Sequence, residues 1–185
     1  IWGAVTVGRH GLEDVLHFGT ASGFDIFWRA AVVRSSLAIG GPGKNSNRFV
    51  PNPAFVAMDA SEKAVVTYVL GMSLAKLTAE ERCQVPWLMH LGVYAGTSPY
   101  PMSLHAVYEP GRSRPDLVGR TLDGRWAVFE AKGRTATPTE DVLVRAKNQT
   151  RQLSTINQST PSWRLAAVAS LGGSHLSLDL VDPTD

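Results

Sequence analysis

The stretch Arg114-Pro-Asp-Leu-Val-Gly-Arg-Thr-Leu-Asp-Gly-Arg-Trp-Ala-Val-Phe-Glu-Ala-Lys-Gly-Arg134 decides the fold. It has strand composition on both sides of the Asp123-Gly124 turn signal, which predicts a β-hairpin. Apolar residues fill both alternating positions of its second half, as is typical of a central strand covered on both faces. Glu130 and Lys132 interrupt that run and, being two residues apart, point to the same face. Because a lone buried charge is costly, these two residues need a pairing or metal-binding role.

The register of the hairpin decides whether Asp116 joins this pair. A two-residue loop at the turn signal sets Asp116 opposite Ala131, on the wrong face. A three-residue loop, 122–124, with Gly124 in the left-handed conformation, sets Asp116 opposite Glu130. We predict the three-residue loop, in which the two Cβ atoms lie roughly 4.5 to 5.5 Å apart and two carboxylates can share one cation.

Helices and strands are predicted on both sides of the hairpin. In chain order they are a helix over about 60–82, a strand over 87–94, the hairpin, a helix from 137 to about 156, and strands over 164–171 and 176–181. Asp59 and Glu62 form a capping box at the first helix. Thr137-Pro-Thr-Glu140 supplies a Thr cap, a Pro at the first helical position and a Glu that closes a second capping box. This order predicts an α/β (α+β) fold with a central mixed β-sheet flanked by helices.

The N-terminal third is harder to assign. Residues 1–34 contain apolar stretches broken by glycines, which indicates strands or a short helix with turns, and the Gly, Pro and Asn cluster at 40–54 marks a loop or a boundary. The Gly43-Lys44 pair there lacks the rest of a phosphate-binding loop. At 185 residues with 44% hydrophobic content, we expect one domain, 1–185, in which 1–58 is an N-terminal elaboration and 59–185 is the core.

Composition narrows the class of protein. No apolar run reaches the ~18 residues that cross a bilayer, so we expect no membrane partner. Cys83 is the single cysteine, which excludes a disulfide framework and a cysteine zinc site and favours a reducing, cytoplasmic setting. Residues 112–164 carry ten Lys and Arg against five Asp and Glu, although the net charge is only +2. This distribution suits a polyanionic partner, and a solvated Arg-rich surface is the alternative.

Pro115-Asp116 on one strand and Glu130-Ala131-Lys132 on the next resemble the signature of the PD-(D/E)XK nuclease superfamily, the fold group of restriction endonucleases and many repair and recombination nucleases. The family core is a helix, three strands in hairpin connection, a helix and a further strand. It resembles the order predicted for residues 60–171, about two thirds of the chain, whereas 1–58 resembles nothing we can name. The resemblance implies a restriction-endonuclease-like core and a metal-dependent nuclease, most of all a DNA endonuclease of restriction, defence or repair type.

The resemblance also implies roles for individual residues. Asp116 and Glu130 would hold Mg²⁺, for which Mn²⁺ can substitute, and the backbone carbonyl of Ala131 would complete the protein ligands. Lys132 would orient the attacking hydroxide or stabilise the transition state, so the catalytic set is Asp116, Glu130 and Lys132. Glu62 stands where some family members place a further acidic ligand, and its capping role is the alternative.

The expected partner is nucleic acid, double-stranded DNA in particular, and since restriction-type nucleases often act as dimers, a homodimer is a further expectation. The residues expected to contact the nucleic acid are Arg112, Arg114, Arg120 and Arg134 beside the hairpin, and Lys147, Gln149 and Gln152 on the second helix. Solvated surface residues would give the same pattern. His90 and His105 are candidates for general acid or metal ligand, although isolated histidines are usually structural.

Two other functional classes stay open. A catalytically inactive nucleic-acid-binding module would keep the same fold and basic face, and the intact Asp116, Glu130 and Lys132 set argues against it. In a structural or assembly domain, the apolar stretches at Trp2 and Phe24–Trp28 would form an interface.

Overall fold

The computed structural model describes residues 1–41, 43, 46–110 and 113–182. Two residues considered above, Lys44 and Arg112, lie outside these ranges. The elements of the described ranges are, in chain order, α1 (Trp2–Thr6), α2 (Leu12–Leu16), α3 (Thr20–Ser36), β1 (Leu37–Ile39), β2 (Phe49–Pro51), α4 (Pro53–Ala57), α5 (Ala60–Cys83), β3 (Leu88–His90), α6 (Leu91–Tyr94), β4 (Ala106–Tyr108), β5 (Leu117–Arg120), β6 (Trp126–Arg134), α7 (Glu140–Arg151), β7 (Leu153–Ile156), β8 (Trp163–Ser170) and β9 (Ser177–Val181).

A five-stranded mixed sheet forms the centre of the fold, with strand order β3-β5-β6-β8-β9. Strand β6 pairs antiparallel with β5 and parallel with β8, so it is the central strand. Its residues 126–131 are all buried, because α5 packs on one face of the sheet and α7 on the other. The predicted mixed sheet with flanking helices, and the predicted central position of the second hairpin strand, are therefore confirmed.

Helix α5 begins and ends close to the predicted residues. Asp59 accepts hydrogen bonds from the backbone at the helix start while Glu62 accepts the Asp59 N–H, which confirms the capping box. The helix lies with its backbone directly on β6: a Cβ at Gly133 would overlap the carbonyl oxygen of Thr67, and one at Gly71 would lie 2.7 Å from the backbone of Lys132. Only glycine permits this approach, which fixes the end of β6 that carries Lys132.

The strand predicted over 87–94 is wrong in its second half. Strand β3 ends at His90, and Leu91–Tyr94 forms the short helix α6. His90 pairs with Leu117, the first residue of β5, so the ladder has no further strand to follow. The Leu91 N–H instead donates to the Asp116 carbonyl at 3.0 Å.

The helix predicted from 137 to about 156 is wrong at both ends. Helix α7 starts at Glu140 after an N-cap Thr139 that makes no side-chain capping bond, so the predicted Thr137 capping box does not form. Residues Leu153–Ile156 leave the helix and pair antiparallel with β4. A partner strand that is distant in sequence overrides the local pattern here, and β-branched residues suit that pairing.

The N-terminal region is mostly helical. The strands considered for residues 1–34 are absent from the described structure, and α1 to α3 occupy this segment. Helix α1 packs closely against α5. A Cβ at Gly3 would lie only 2.9 Å from the Leu77 side chain. Helix α3 packs its Val32 and Val33 side chains against the apolar cluster formed by α4 and α5. None of the described helices is long and apolar enough to cross a membrane.

The last two strands, β8 and β9, agree with the predicted pair over 164–171 and 176–181 to within a residue. They pair antiparallel and close one side of the sheet.

Candidate active site at the end of the β5–β6 hairpin

The turn of the hairpin has three residues. The Thr121 N–H donates to the Arg125 carbonyl at 2.9 Å, and the Gly124 N–H donates to the Thr121 carbonyl at 2.9 Å. Gly124 has a φ of 89°, a left-handed conformation that favours glycine. The predicted loop, 122–124, is therefore confirmed.

The loop sets the register on which the site depends. Leu117 pairs with Phe129, and extending this register by one residue sets Asp116 opposite Glu130. Hydrogen bonds from the backbone reinforce the arrangement. The Asp116 N–H donates to Glu130 Oε2 at 3.2 Å, and the Ala131 N–H donates to Asp116 Oδ2 at 3.2 Å.

Lys132 completes the cluster. Its Nζ forms an ion pair with Glu130 Oε1, so the two side chains share one face of β6 as predicted. A strand residue directs its N–H and its C=O to the same edge. Because the Ala131 N–H faces Asp116, the Ala131 carbonyl faces that side too. The structure therefore brings together Asp116, Glu130, Ala131 and Lys132.

Glu130 is fully buried while the Lys132 side chain is 35% exposed. Burial, followed by the negative charge of Asp116, raises the pKa of Glu130 to about 7, and the pairing with Lys132 only partly offsets this. Among the described residues, Glu130 Oε1 accepts no hydrogen bond in addition to its ion pair. The site therefore concentrates negative charge that its own single ammonium group does not fully neutralise.

These donors fit a hard divalent cation. Two adjacent carboxylates and a backbone carbonyl are the oxygen ligands that Mg²⁺ takes, and Mg²⁺ usually completes its shell with waters and substrate phosphates. A bound cation would also relieve the repulsion between Asp116 and Glu130. In the described part of the chain no group of three or more His, Cys, Asp and Glu side chains is placed to hold a metal. Two carboxylates are thus the full acidic set that these residues offer.

Glu62 does not join that set. It lies exposed at the start of α5, and its Oε2 accepts the Asp59 N–H at 3.0 Å. Among the described residues, Glu62 forms no group with Asp116 and Glu130 that is placed to hold a metal. The structure shows its capping role, and its role as a further acidic ligand stays a prediction.

A cleft of about 450 Å³ opens beside Asp116. The polar and aromatic side chains that line it are Tyr68, His90, Tyr108, Arg114 and Asp116. The Arg114 guanidinium lies 4.6 Å from the centre of the Tyr108 ring. Burial lowers the pKa of His90 to about 4, and the charges of Arg29 and Arg9 act in the same direction, so its imidazole is neutral at neutral pH.

Tyr68 and Tyr108 were missed by the sequence reasoning. Tyr68 lies on α5 among residues at helical spacing, where an aromatic residue is typical of core packing, yet it is exposed. Its pKa is raised by burial of part of the ring and by the charge of Asp116, which shows its proximity to the site. No local pattern separates Tyr68 from a core residue, and only the cleft that it lines together with Asp116 identifies it.

The other predicted nucleic-acid contacts lie on the hairpin, at Arg120 and Arg134, and on helix α7. Arg120 lies at the turn end of the hairpin, where its Nε donates to the Gly124 carbonyl at 3.1 Å and its guanidinium stacks on Trp126. At ~3.3 Å per residue it is about 13 Å along the strand from Asp116, so the structure does not bring it to the site. Arg134 is exposed at the opposite end of β6, beyond Lys132.

Helix α7 lies over the face of the sheet that carries Glu130. Gln149 Nε2 donates to the Arg114 carbonyl at 3.3 Å, which ties α7 to the segment before β5. Lys147 is half-buried on the same helix, and Gln152 holds an Oε1 atom that accepts no hydrogen bond from the described residues. His105 does not line the cleft. Its backbone N–H donates to Asn157 Oδ1, and its carbonyl accepts the Asn157 N–H.

No protein-family model, curated protein or solved structure matches the chain. The chemistry of the cluster of Asp116, Glu130, Ala131 and Lys132 at the end of the hairpin therefore has to be interpreted from its own geometry.

Proposed function

We propose that the protein is a metal-dependent nuclease that hydrolyses phosphodiester bonds, in DNA rather than RNA, as an endonuclease of restriction, defence or repair type. The observation that carries this proposal is the buried Glu130 carboxylate, set opposite Asp116 and paired with Lys132. The order α5, β3, β5, β6, α7, β8 supports a restriction-endonuclease-like core, since it resembles the PD-(D/E)XK arrangement with its acid and Lys pair on the central strand.

The electrostatics of the cluster favour a catalytic role over a structural one. A buried carboxylate that serves only the fold is normally matched by hydrogen bonds or by a buried cation. Glu130 has one backbone hydrogen bond and the ion pair with Lys132, yet its pKa is raised, and the Lys132 ammonium remains partly exposed to solvent. Strongly perturbed carboxylates beside a cleft are typical of sites that hold a metal or transfer protons.

The chain would supply two functions to the reaction. Asp116, Glu130 and the Ala131 carbonyl would hold Mg²⁺ or Mn²⁺, which when bound lowers the pKa of a water and neutralises charge on the phosphate. Lys132 Nζ is paired with Glu130 and is exposed enough to donate a hydrogen bond to a phosphate oxygen or to the attacking oxygen. In hydrolysis, a bond forms from the water oxygen to phosphorus, the bond from phosphorus to the leaving oxygen breaks, and that oxygen takes a proton.

A second candidate function is a role in assembly. The exposed side chains of Phe24, Phe27 and Trp28 recur at helical spacing along α3 and form an apolar face that is open to solvent. Faces of this kind often bind partner proteins. This candidate does not explain the cluster around Glu130, so the nuclease proposal accounts for more of the structure.

Cleavage assays test the nuclease proposal directly. Supercoiled plasmid DNA, linear DNA and RNA are each incubated with the protein in Mg²⁺, in Mn²⁺ and in excess chelator. We expect cutting of DNA that stops in chelator and falls about 100-fold or more in Asp116→Asn and Lys132→Ala. Asp141→Asn, which changes an exposed acid on α7, is the matched control and keeps wild-type activity. Cleavage that persists in chelator, or in Lys132→Ala, would rule out this mechanism.

A further inference from the structure

The cleft beside Asp116 has aromatic walls. Tyr68 from α5, which is 54% exposed, and Tyr108 from β4 line it together with the neutral His90 ring. The cleft volume of about 450 Å³ lies in the range of sites that enclose a small organic group. It is therefore large enough to admit a nucleotide next to the carboxylate of Asp116.

The aromatic surface continues beyond the cleft. A second, smaller cavity of about 40 Å³ is bordered by Tyr68, His90 and Trp28, and Trp28 is 47% exposed on α3. Tyr68 thus has the cleft on one side and Trp28 on the other. Tyr108, Tyr68 and Trp28, from β4, α5 and α3, therefore form a row of aromatic side chains that includes the cleft beside Asp116.

Positive charge borders the same path. Arg114 stacks on Tyr108 at the mouth of the cleft. Arg9 and Arg29 lie on the α3 side, near enough to His90 to lower its pKa, and both of them contact Asp25, at 3.4 and 3.0 Å. These two guanidinium groups place cations at this end of the path, with Asp25 paired to both of them. Phosphates on either side of a base would meet cations at both ends of the path.

The state of the nucleic acid follows from this chemistry. In a duplex the flat faces of the bases are stacked on one another, and only base edges and phosphates are accessible. Aromatic side chains can stack on a base only after it is unstacked, which is how proteins bind single strands and flipped nucleotides. The exposed Tyr68 ring at the cleft therefore favours an unpaired strand over an intact duplex.

We infer that the cleft formed by Tyr68, Tyr108 and His90 binds unpaired nucleotides of a DNA strand, so that cutting occurs at single-stranded segments, at ends or at distorted sites. This inference rests on the proposed nuclease function, because it assigns a substrate state to the same site.

Binding in chelator tests the inference separately from catalysis. The probes are a fluorescein-labelled oligothymidine strand and the duplex that it forms with oligoadenine, each followed by fluorescence anisotropy. We expect the single strand to bind at least about tenfold more tightly than the duplex. Tyr68→Ala should lose about tenfold in affinity for the single strand, and Tyr68→Phe, which keeps the ring, should stay within about twofold of wild type.

Phe49→Ala is the matched control, since Phe49 is an exposed aromatic residue on β2 that does not line this cleft. Its affinity should equal that of wild type, and thermal denaturation verifies that all variants are folded. Duplex bound as tightly as the single strand, or equal affinities for Tyr68→Ala and wild type, would overturn the inference. Absence of cleavage together with preferential binding of the single strand would contradict the nuclease proposal alone, so the two failures are distinguishable.

Discussion

Replacing Glu130 by Gln should make the metal-free protein more stable at alkaline pH. The Glu130 carboxyl is fully buried beside the Asp116 carboxylate, which raises its pKa from 4.5 to about 7. A carboxyl with a higher pKa in the folded protein than in the unfolded chain binds its proton more tightly when folded. The contribution of Glu130 to the free energy of unfolding therefore becomes less favourable as pH rises from 4.5 through 7. A glutamine at this position has no charge to ionise and escapes that loss.

The size of the effect follows from the two pKa values. One pH unit of difference corresponds to about 1.4 kcal/mol. With a folded pKa of about 7 against 4.5 in the unfolded chain, ionisation of Glu130 costs roughly 2 to 3 kcal/mol of stability between pH 5 and pH 8. The free energy of unfolding of Glu130→Gln, minus that of wild type, should rise by this amount over the same interval.

Urea unfolding in chelator, followed by tryptophan fluorescence at pH 5 and pH 8, measures this difference. Glu81→Gln, which alters an exposed acid on α5, is the control and should show no pH-dependent difference from wild type. Adding Mg²⁺ at pH 8 should then stabilise wild type more than Glu130→Gln, because the cation binds the folded carboxylates. Equal pH dependence in wild type and Glu130→Gln would refute the claim that Glu130 carries an incompletely neutralised buried charge.

Three further substitutions test the parts of the fold that position the site. Gly133→Ala forces a Cβ into the Thr67 carbonyl and should lower the free energy of unfolding by about 2 kcal/mol or more. The control Gly173→Ala has open space around its Cβ and should change that free energy by less than about 0.5 kcal/mol. Similar losses for the two variants in urea unfolding would refute the close packing of α5 on β6. Asp59→Ala removes the capping box and should cost about 1 kcal/mol in the same assay, and an unchanged midpoint would contradict the capping role. Glu62→Gln keeps an acceptor for the cap and should leave DNA cleavage within about twofold of wild type. A loss of more than tenfold there would instead support Glu62 as a further metal ligand.

The hairpin could be predicted because its geometry is local. The Asp123-Gly124 signal limits the turn to a few types, and the alternation of side chains on a strand then links the loop length to the face that Asp116 occupies. Of the two registers, only one places Asp116 opposite Glu130, and the structure has that register. The capping box of α5 was predictable for the same reason, since its residues lie within one turn.

The errors occur where distant parts of the chain decide the structure. Residues Leu153–Ile156 continue a helical pattern in the sequence but pair with β4, which lies more than forty residues earlier. The strand after Trp87 ends at His90 because its partner β5 begins only at Leu117. No local pattern contains the position of a partner strand, so tertiary pairing overrides propensity in both places.

The N-terminal helices and the cleft were not predictable for a different reason. Helix α3 exposes Phe24, Phe27 and Trp28 while it packs Val32 and Val33, so its apolar residues do not all mark one face that packs on the core. Tyr68 lines the same cleft as Asp116, a relation that exists only in the folded chain. The sequence could identify the residues of the candidate site but not the side chains that line the cleft beside it.

The most direct test of the central claim is the rate of DNA cleavage as a function of Mg²⁺ concentration for wild type and Glu130→Gln. We expect the wild-type rate to rise with Mg²⁺, to saturate and to vanish in chelator, while Glu130→Gln stays at least about 100-fold slower at every concentration. A wild-type protein that cuts in chelator, or a Glu130→Gln protein that cuts as fast as wild type, would contradict the assignment of a catalytic metal site to Asp116 and Glu130.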